Sequence, residues 1–282
     1  MWCVSSFRGG SILAFFSVAL VVAGLQHADA GGLLWVGAHP DDETYAAPVL
    51  ADVCLHQGKP CYLLVMTDGG KGHCEITGGC VPDVPTVRRY EMEASASYFR
   101  ATLTMVNLED SPAGSVTGVI GAWNDRVGGG NNLVSFVSDY IRLIQPDVIV
   151  TFDPRHGSSC HLDHSAAALV ALQAAEQIAF PASSIYLLQT TWVAGPSSAS
   201  PPWLGFGQAV SSDNAVMSYD ATLQWQSVPD ALALHKSQFK SEIVDAFRAA
   251  PAYARIVPLL KASDTTWADQ RYQNLCPAEF KL

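Results

Sequence analysis

Leu33-Leu34-Trp35-Val36-Gly37-Ala38-His39-Pro40-Asp41-Asp42-Glu43 is an apolar run that breaks abruptly into one imidazole and three carboxylates. Its first half suits a strand covered on both faces, and in open α/β sheets ligands bind just beyond the carboxyl ends of such strands. Pro40 fixes its own φ and biases His39 away from helical geometry, so a new element is expected to start at Asp41. Asp41, Asp42 and Glu43 then fall in the first turn of a helix, where the dipole favours carboxylates. A charged helix start accounts for the acids. It does not account for the histidine packed against them at a strand end.

Downstream, helical and extended patterns alternate. A helix is expected from Asp42 or Glu43 to His56, closed by Gly58 as a left-handed cap. Strands are expected over Cys61–Met66, Thr102–Asn107, Asp147–Phe152 and Ile185–Leu188. Helices are expected over Val87–Tyr98, Asn131–Gln145 and Ser165–Ile178. This alternation predicts an α/β fold: a doubly wound, mainly parallel sheet with helices on both faces. Two stretches read as loops near the strand ends, Gly69–Pro85 and the glycine-rich Val127–Asn132, and substrate selection is expected there.

Upstream, residues 1–30 read as a signal peptide. Arg8 precedes an apolar core from Ile12 to Leu25, and Ala28-Asp29-Ala30 has the small residues of a cleavage site. The core falls short of the about 20 apolar residues a membrane span needs. A secreted chain beginning near Gly31 is therefore expected, with an uncleaved signal anchor as the alternative. Of seven cysteines, Cys3 leaves with the signal; Cys54, Cys61, Cys74, Cys80, Cys160 and Cys276 suit an oxidising compartment. Local pairing of Cys54 with Cys61 and Cys74 with Cys80, leaving Cys160 for Cys276, is one of about 15 connectivities. Residues 31–282 read as one catalytic domain; the Pro- and Ser-rich stretch from Ala194 to Pro202 is too short to divide it. A net charge of −10 and the lack of a basic face argue against a nucleic-acid partner.

A second cluster mirrors the first. The strand to Phe152 runs through Asp153-Pro154-Arg155-His156-Gly157 into His161-Leu162-Asp163-His164, ahead of an alanine-rich helix. His161 and His164, three apart at a helix start, share a face. A catalytic zinc takes three ligands from His, Asp or Glu and keeps one position open; the two clusters supply two imidazoles and a carboxylate. They leave a spare carboxylate and a spare imidazole, which hydrolysis needs as base and as acid or oxyanion partner.

Ala38-His39-Pro40-Asp41-Asp42-Glu43 resembles the signature of the PIG-L/LmbE-type zinc-dependent de-N-acetylases, and His161-x-Asp163-His164 resembles their second motif. Arg88 with Glu91 is similar to the family's Arg-x-x-Glu helix, and His235-x-Ser237-Gln238 to a late His-x-Ser-Gln element. The resemblance implies a Rossmann-like fold and a Zn2+ ion held by His39, Asp42 and His164. Asp41 would be the general base, and His161 would stabilise the oxyanion or protonate the leaving amine. Asp163 would set the tautomer of His161 and raise its pKa. Arg88 would bind polar substrate groups or else pair with Glu91 on its helix face. His235 is a structural candidate and Glu43 a supporting residue.

Leu162 stands where the family usually has proline, and Thr67-Asp68-Gly69-Gly70 lacks the glutamate often found after the second strand. Cys160 either closes a disulfide that fixes its loop or offers a thiol to the metal. The resemblance implies a hydrolase that removes acetyl from an N-acetylglucosamine-type amino sugar or its conjugate. The alternatives are a zinc hydrolase of another amide or ester, and a secreted sugar-binding protein without catalysis. Oligomeric state is not legible.

Overall fold

The computed structural model describes residues 31–189, 217–249 and 255–265. The expected signal segment, the 194–202 stretch and Cys276 lie outside these residues. One seven-stranded sheet has the order β3-β2-β1-β4-β5-β7-β6. Its parallel part is β1 (Leu33–Gly37), β2 (Cys61–Thr67), β3 (Thr102–Leu108), β4 (Val148–Phe152) and β5 (Ile185–Leu188). Two antiparallel strands, β6 (Met217–Asp220) and β7 (Ile256–Lys261), extend the β5 edge. The mainly parallel, doubly wound sheet matches the expectation; β6 and β7 were not foreseen.

Successive side chains of β1 go to opposite faces, as strand geometry requires. Leu33 and Trp35 join one core, Leu34 and Val36 the other. The first core is covered by the helical stretch after β1 and by α2 (Val84–Tyr98), α7 (Ser227–Leu232) and α8 (Ser241–Ala249). The second is covered by α3 (Val116–Arg126), α4 (Asn132–Ile144) and α6 (Leu162–Gln177). Twelve residues of α6 are buried, which small alanines permit because they let neighbours approach on every side.

The stretch after β1 is not a uniform helix. It opens as a 3-10 turn (Asp42–Ala46), continues as one α-turn (α1, Ala47–Leu50) and finishes in π geometry (Ala51–His56). Cys54–Cys61 ties its end to the start of β2, and Cys74–Cys80 closes the loop ahead of α2. Both are the expected local pairs. Cys160, in the short α5 (Gly157–Cys160), is disulfide-bonded too. That removes the free thiol from consideration as a competing ligand.

The chain runs β1, β2, β3 in one direction across the sheet and then returns to place β4 and β5 on the other side of β1. The strand order reverses between β1 and β4. The crevice beyond their carboxyl ends is where such folds bind ligands, and both acidic-histidine clusters emerge there.

Candidate metal and active site

Asp41 leaves β1 with φ of 130°, a conformation costly for a residue with a Cβ. This turn lets the 3-10 helix fold back so that Asp42 Oδ2 accepts from the backbone N–H groups of Ala38 and His39, each at 2.7 Å. Asp42 is thereby held rigidly, its other oxygen 3.0 Å from His164 Nε2. His39 Nδ1 lies 3.1 Å from the same His164 nitrogen and 3.6 Å from Asp42 Oδ2. Tetrahedral ligands with bonds of about 2.0–2.1 Å are separated by about 3.3 Å. His164 Nε2 stands close to that spacing from both His39 Nδ1 and Asp42 Oδ1.

Each imidazole is oriented from behind. His164 Nδ1 donates to the carbonyl of Gly157 at 2.8 Å, and its ring stacks on Phe152 with centroids 4.2 Å apart. His39 Nε2 faces Asp163 Oδ2 and Asp110 Oδ1, both at 3.3 Å. With the outer nitrogens engaged as donors, the inner nitrogens present lone pairs to one another beside a carboxylate. Such an arrangement calls for a cation between them. Burial opposes a charged His39, yet Asp42, Asp110 and Asp163 outweigh it and raise its pKa well above the ordinary value. Burial likewise opposes the Asp42 carboxylate, but His164 and His39 hold its pKa well below normal.

His161 lines the same cavity but is set up differently. As the cap of α6 its Nδ1 accepts from the backbone N–H of Asp163 at 3.2 Å, so the neutral ring carries its proton on Nε2. Burial, with His164 and His39 alongside, lowers its pKa to about 3. His39, His161 and His164 place ligand atoms within 4.8 Å of one another, as do His39, Asp110 and Asp163. Neither group replaces the first: His161 spends its Nδ1 on the helix cap, and Asp110 and Asp163 sit on the outer nitrogen of His39.

Three sequence expectations change here. The Asp163 carboxylate does not orient His161; it accepts from Ser111 N at 2.7 Å and faces His39, and only its backbone amide sets the His161 tautomer. Asp163 does push the His161 pKa upward, as expected, but burial, His164 and His39 outweigh it and the net shift is downward. Arg88 lines the cavity but does not pair with Glu91. It is buried, donating to the carbonyls of Gly69 (2.9 Å) and Pro40 (2.6 Å) and pairing with Asp41 Oδ1 at 2.9 Å. Glu91 instead accepts from Ser237 N and Oγ.

Asp41 keeps a carboxylate at the cavity wall, 16% exposed. Burial raises its pKa, Arg88 lowers it, and the neighbouring Asp42 raises it. Behind it, His235 Nε2 and Ser95 Oγ both meet Glu43 Oε1 at 2.5 Å. Glu43 and His235 are therefore part of a buried support. The cavity enclosed by these groups is about 360 Å³, walled by Gly72 and His73 of the 69–85 loop and by Gln238 and Phe239. The missed participants are Asp110 and Ser111. Their one signal was a carboxylate just past the end of a parallel strand, the position that singled out His39.

A profile of the PIG-L family, described as GlcNAc-PI de-N-acetylase, matches residues 34–175, from β1 through α6 and so across both clusters. No curated protein matches the chain. Among solved structures it resembles the 4-carboxy-2-hydroxymuconate hydratase GalB of Pseudomonas putida, with TM-score 0.54, 16% identity, and 82% of this chain and 95% of that one covered. The N,N'-diacetylchitobiose deacetylase of Pyrococcus horikoshii gives TM-score 0.53 and 16% identity over 90% of this chain and 92% of that one. Teicoplanin deacetylase Orf2, in a zinc-inhibited form, gives 0.52 and 19% over 83% and 99%. At these identities the likeness establishes the fold, a scaffold that carries a hydratase as well as deacetylases.

Proposed function

Because the chain belongs to the PIG-L de-N-acetylase family, we propose that it is a zinc-dependent hydrolase that removes the acetyl group from an N-acetylglucosamine-type amino sugar or its conjugate. The observation that carries this reading is the convergence of His39, Asp42 and His164, each within 3.6 Å of the other two, on a cavity that also holds Asp41 and His161. A zinc ion bound by those three residues supplies Lewis acidity toward water and the amide carbonyl.

The protein's own groups divide the remaining work. Asp41, its pKa raised by burial, takes the proton of the attacking water. Arg88 holds Asp41 in place and keeps it ionised. His161, neutral with its proton on Nε2, donates to the oxygen of the tetrahedral carbon as an oxyanion partner. A pKa of about 3 makes His161 a poor proton source, so the proton held by Asp41 is the one passed to the departing amine.

In the same reading the chain is exported, its signal spanning residues 1–30 and residues 31–282 forming one catalytic domain. Three disulfide-bonded sites support an oxidising compartment. No helix among the described residues is long and apolar enough to cross a membrane. The test is acetate release from a panel of N-acetylated sugars, with and without chelator. Release that chelation abolishes and zinc restores is expected. Release that is indifferent to chelation overturns the metal assignment.

A further inference from the structure

The cavity that holds the histidines has a larger neighbour. A second cavity of about 550 Å³ adjoins it, the two sharing Lys71 and Asp110 in their walls. Its size is within the roughly 300–1,000 Å³ of small-ligand sites. It lies at the end of β3, where the pairing with β2 shifts register between Val65 and Thr67 and Asn107 takes a φ of 59°. Val106, Asn107 and Leu108 of that irregular strand end line it, and Val127 closes it from the end of α3. Such bulges bend a strand and re-aim its side chains.

The charges in this cavity decide what it can hold. Lys71 Nζ donates to the Ser111 carbonyl at 2.9 Å and pairs with Glu109 Oε1 at 3.3 Å. Arg126 Nη2 sits 3.6 Å from the other oxygen, Glu109 Oε2. One glutamate thus answers both bases, while Asp68 and Asp110 add negative charge to the lining. With three carboxylates, Asp68, Glu109 and Asp110, against the two bases Lys71 and Arg126, the lining repels a phosphate. A neutral ring rich in hydroxyls meets the opposite: carboxylates that accept from its O–H groups and cations that donate to its oxygens. The two cavities are also linked mechanically. The backbone N–H of Lys71 donates to Asp110 Oδ2 at 3.0 Å, and Asp110 Oδ1 faces His39.

We propose that the second cavity is a subsite for a neutral, hydroxyl-rich group attached to the N-acetylated sugar, namely a further sugar ring. The substrate is then an oligosaccharide, and neither a free monosaccharide nor a sugar joined through phosphate to a lipid. This rests on the deacetylase reading above, and the experiment separates the two.

Acetate release is measured from N-acetylglucosamine, N,N'-diacetylchitobiose and N-acetylglucosaminyl-phosphatidylinositol, in the wild type, Val127→Trp and Glu109→Gln. Binding of the unacetylated glucosamine disaccharide is measured by calorimetry on the same proteins. The disaccharide should exceed the monosaccharide in kcat/KM by about tenfold or more, the worth of one or two charge-assisted hydrogen bonds. Val127→Trp, which fills the cavity, should bring that ratio close to unity, and Glu109→Gln, which leaves Lys71 and Arg126 unanswered, should raise the relative rate on the phosphate-linked sugar. A ratio untouched by Val127→Trp, or a wild-type preference for the phosphate-linked sugar, overturns the subsite while the deacetylase reading stands. If no acetate is released from any of the three, the deacetylase reading falls, and calorimetry still decides: disaccharide binding lost in Val127→Trp supports the subsite, and no binding to the wild type overturns it.

Discussion

Replacing Arg88 with methionine tests whether this cavity-lining residue serves chiefly as internal support for Asp41 or as a substrate contact. The side chain is 4% exposed and makes three charge-assisted contacts, to the carbonyls of Gly69 and Pro40 and to Asp41. Methionine keeps much of the volume and none of the donors. Removing one partner of a buried ion pair costs about 3–5 kcal/mol, since the other charge is left uncompensated. For a chain of this size each kcal/mol moves Tm by roughly 2–4 °C, so a fall of roughly 6–20 °C is expected by calorimetry. The kinetic consequence has a definite sign. Against the upward push of burial, Arg88 is the foremost of the groups that lower the Asp41 pKa, ahead of His235 and His39; without it that pKa climbs, and less of the base is ionised at a given pH. The acid limb of kcat/KM against pH should shift upward, with activity partly recovered at alkaline pH. A substrate-contact role predicts something else: a raised KM, an unmoved acid limb and a nearly unchanged Tm. That result would refute the reasoning.

Asp41→Asn should retain zinc by elemental analysis while losing about 10²–10⁴ in kcat, the usual worth of a general base; full activity would dismiss the assignment. Asp42→Asn should lose the metal yet stay folded, because the amide oxygen can still accept from Ala38 N and His39 N, whereas Asp42→Ala leaves two buried N–H groups unpaired at about 1–3 kcal/mol each. Thermal melts of the two metal-free variants compare these costs. Asp163→Asn, by loosening His39, should weaken zinc binding about 10–100-fold in competition with a chromogenic chelator, with no change expected if Asp163 served only His161. Gly157→Ala should lower both Tm and zinc affinity. Its φ is 52° and a Cβ would stand 2.9 Å from Ser165 Oγ and 3.0 Å from His164 Cβ, disturbing the carbonyl that holds His164. The left-handed backbone alone costs about 1–2 kcal/mol.

What could be read ahead of the structure was whatever a few consecutive residues decide. Leu33–Gly37 is apolar on both sides of its pleat, so it had to lie inside a covered sheet, and the histidine and acids that follow it had to emerge at a strand end. The same holds for Val148–Phe152 and for the start of α6. Metal spacing within each cluster is local too, which is why His39, Asp42, His161 and His164 could be grouped at all. Roles that depend on what packs against a residue were not legible. Nothing in Arg88-x-x-Glu91 tells that the arginine will face Pro40 and Asp41 while the glutamate takes Ser237, 146 residues away. Asp163 looked like the partner of the histidine two residues before it, but a helix start turns adjacent side chains apart, leaving only its backbone amide for His161. Asp110 escaped because its strand, β3, is only partly buried and polar along one side. Strands β6 and β7 escaped because β7 pairs antiparallel with β5 and β6 antiparallel with β7, outside the strand–helix rhythm. The site was thus half visible: the residues whose chemistry is their own could be named, and those that act by orienting another had to wait for the fold. Asp110 and Asp163, two carboxylates on one imidazole nitrogen, are the clearest instance. Together they orient His39 and raise its pKa, which no motif could announce.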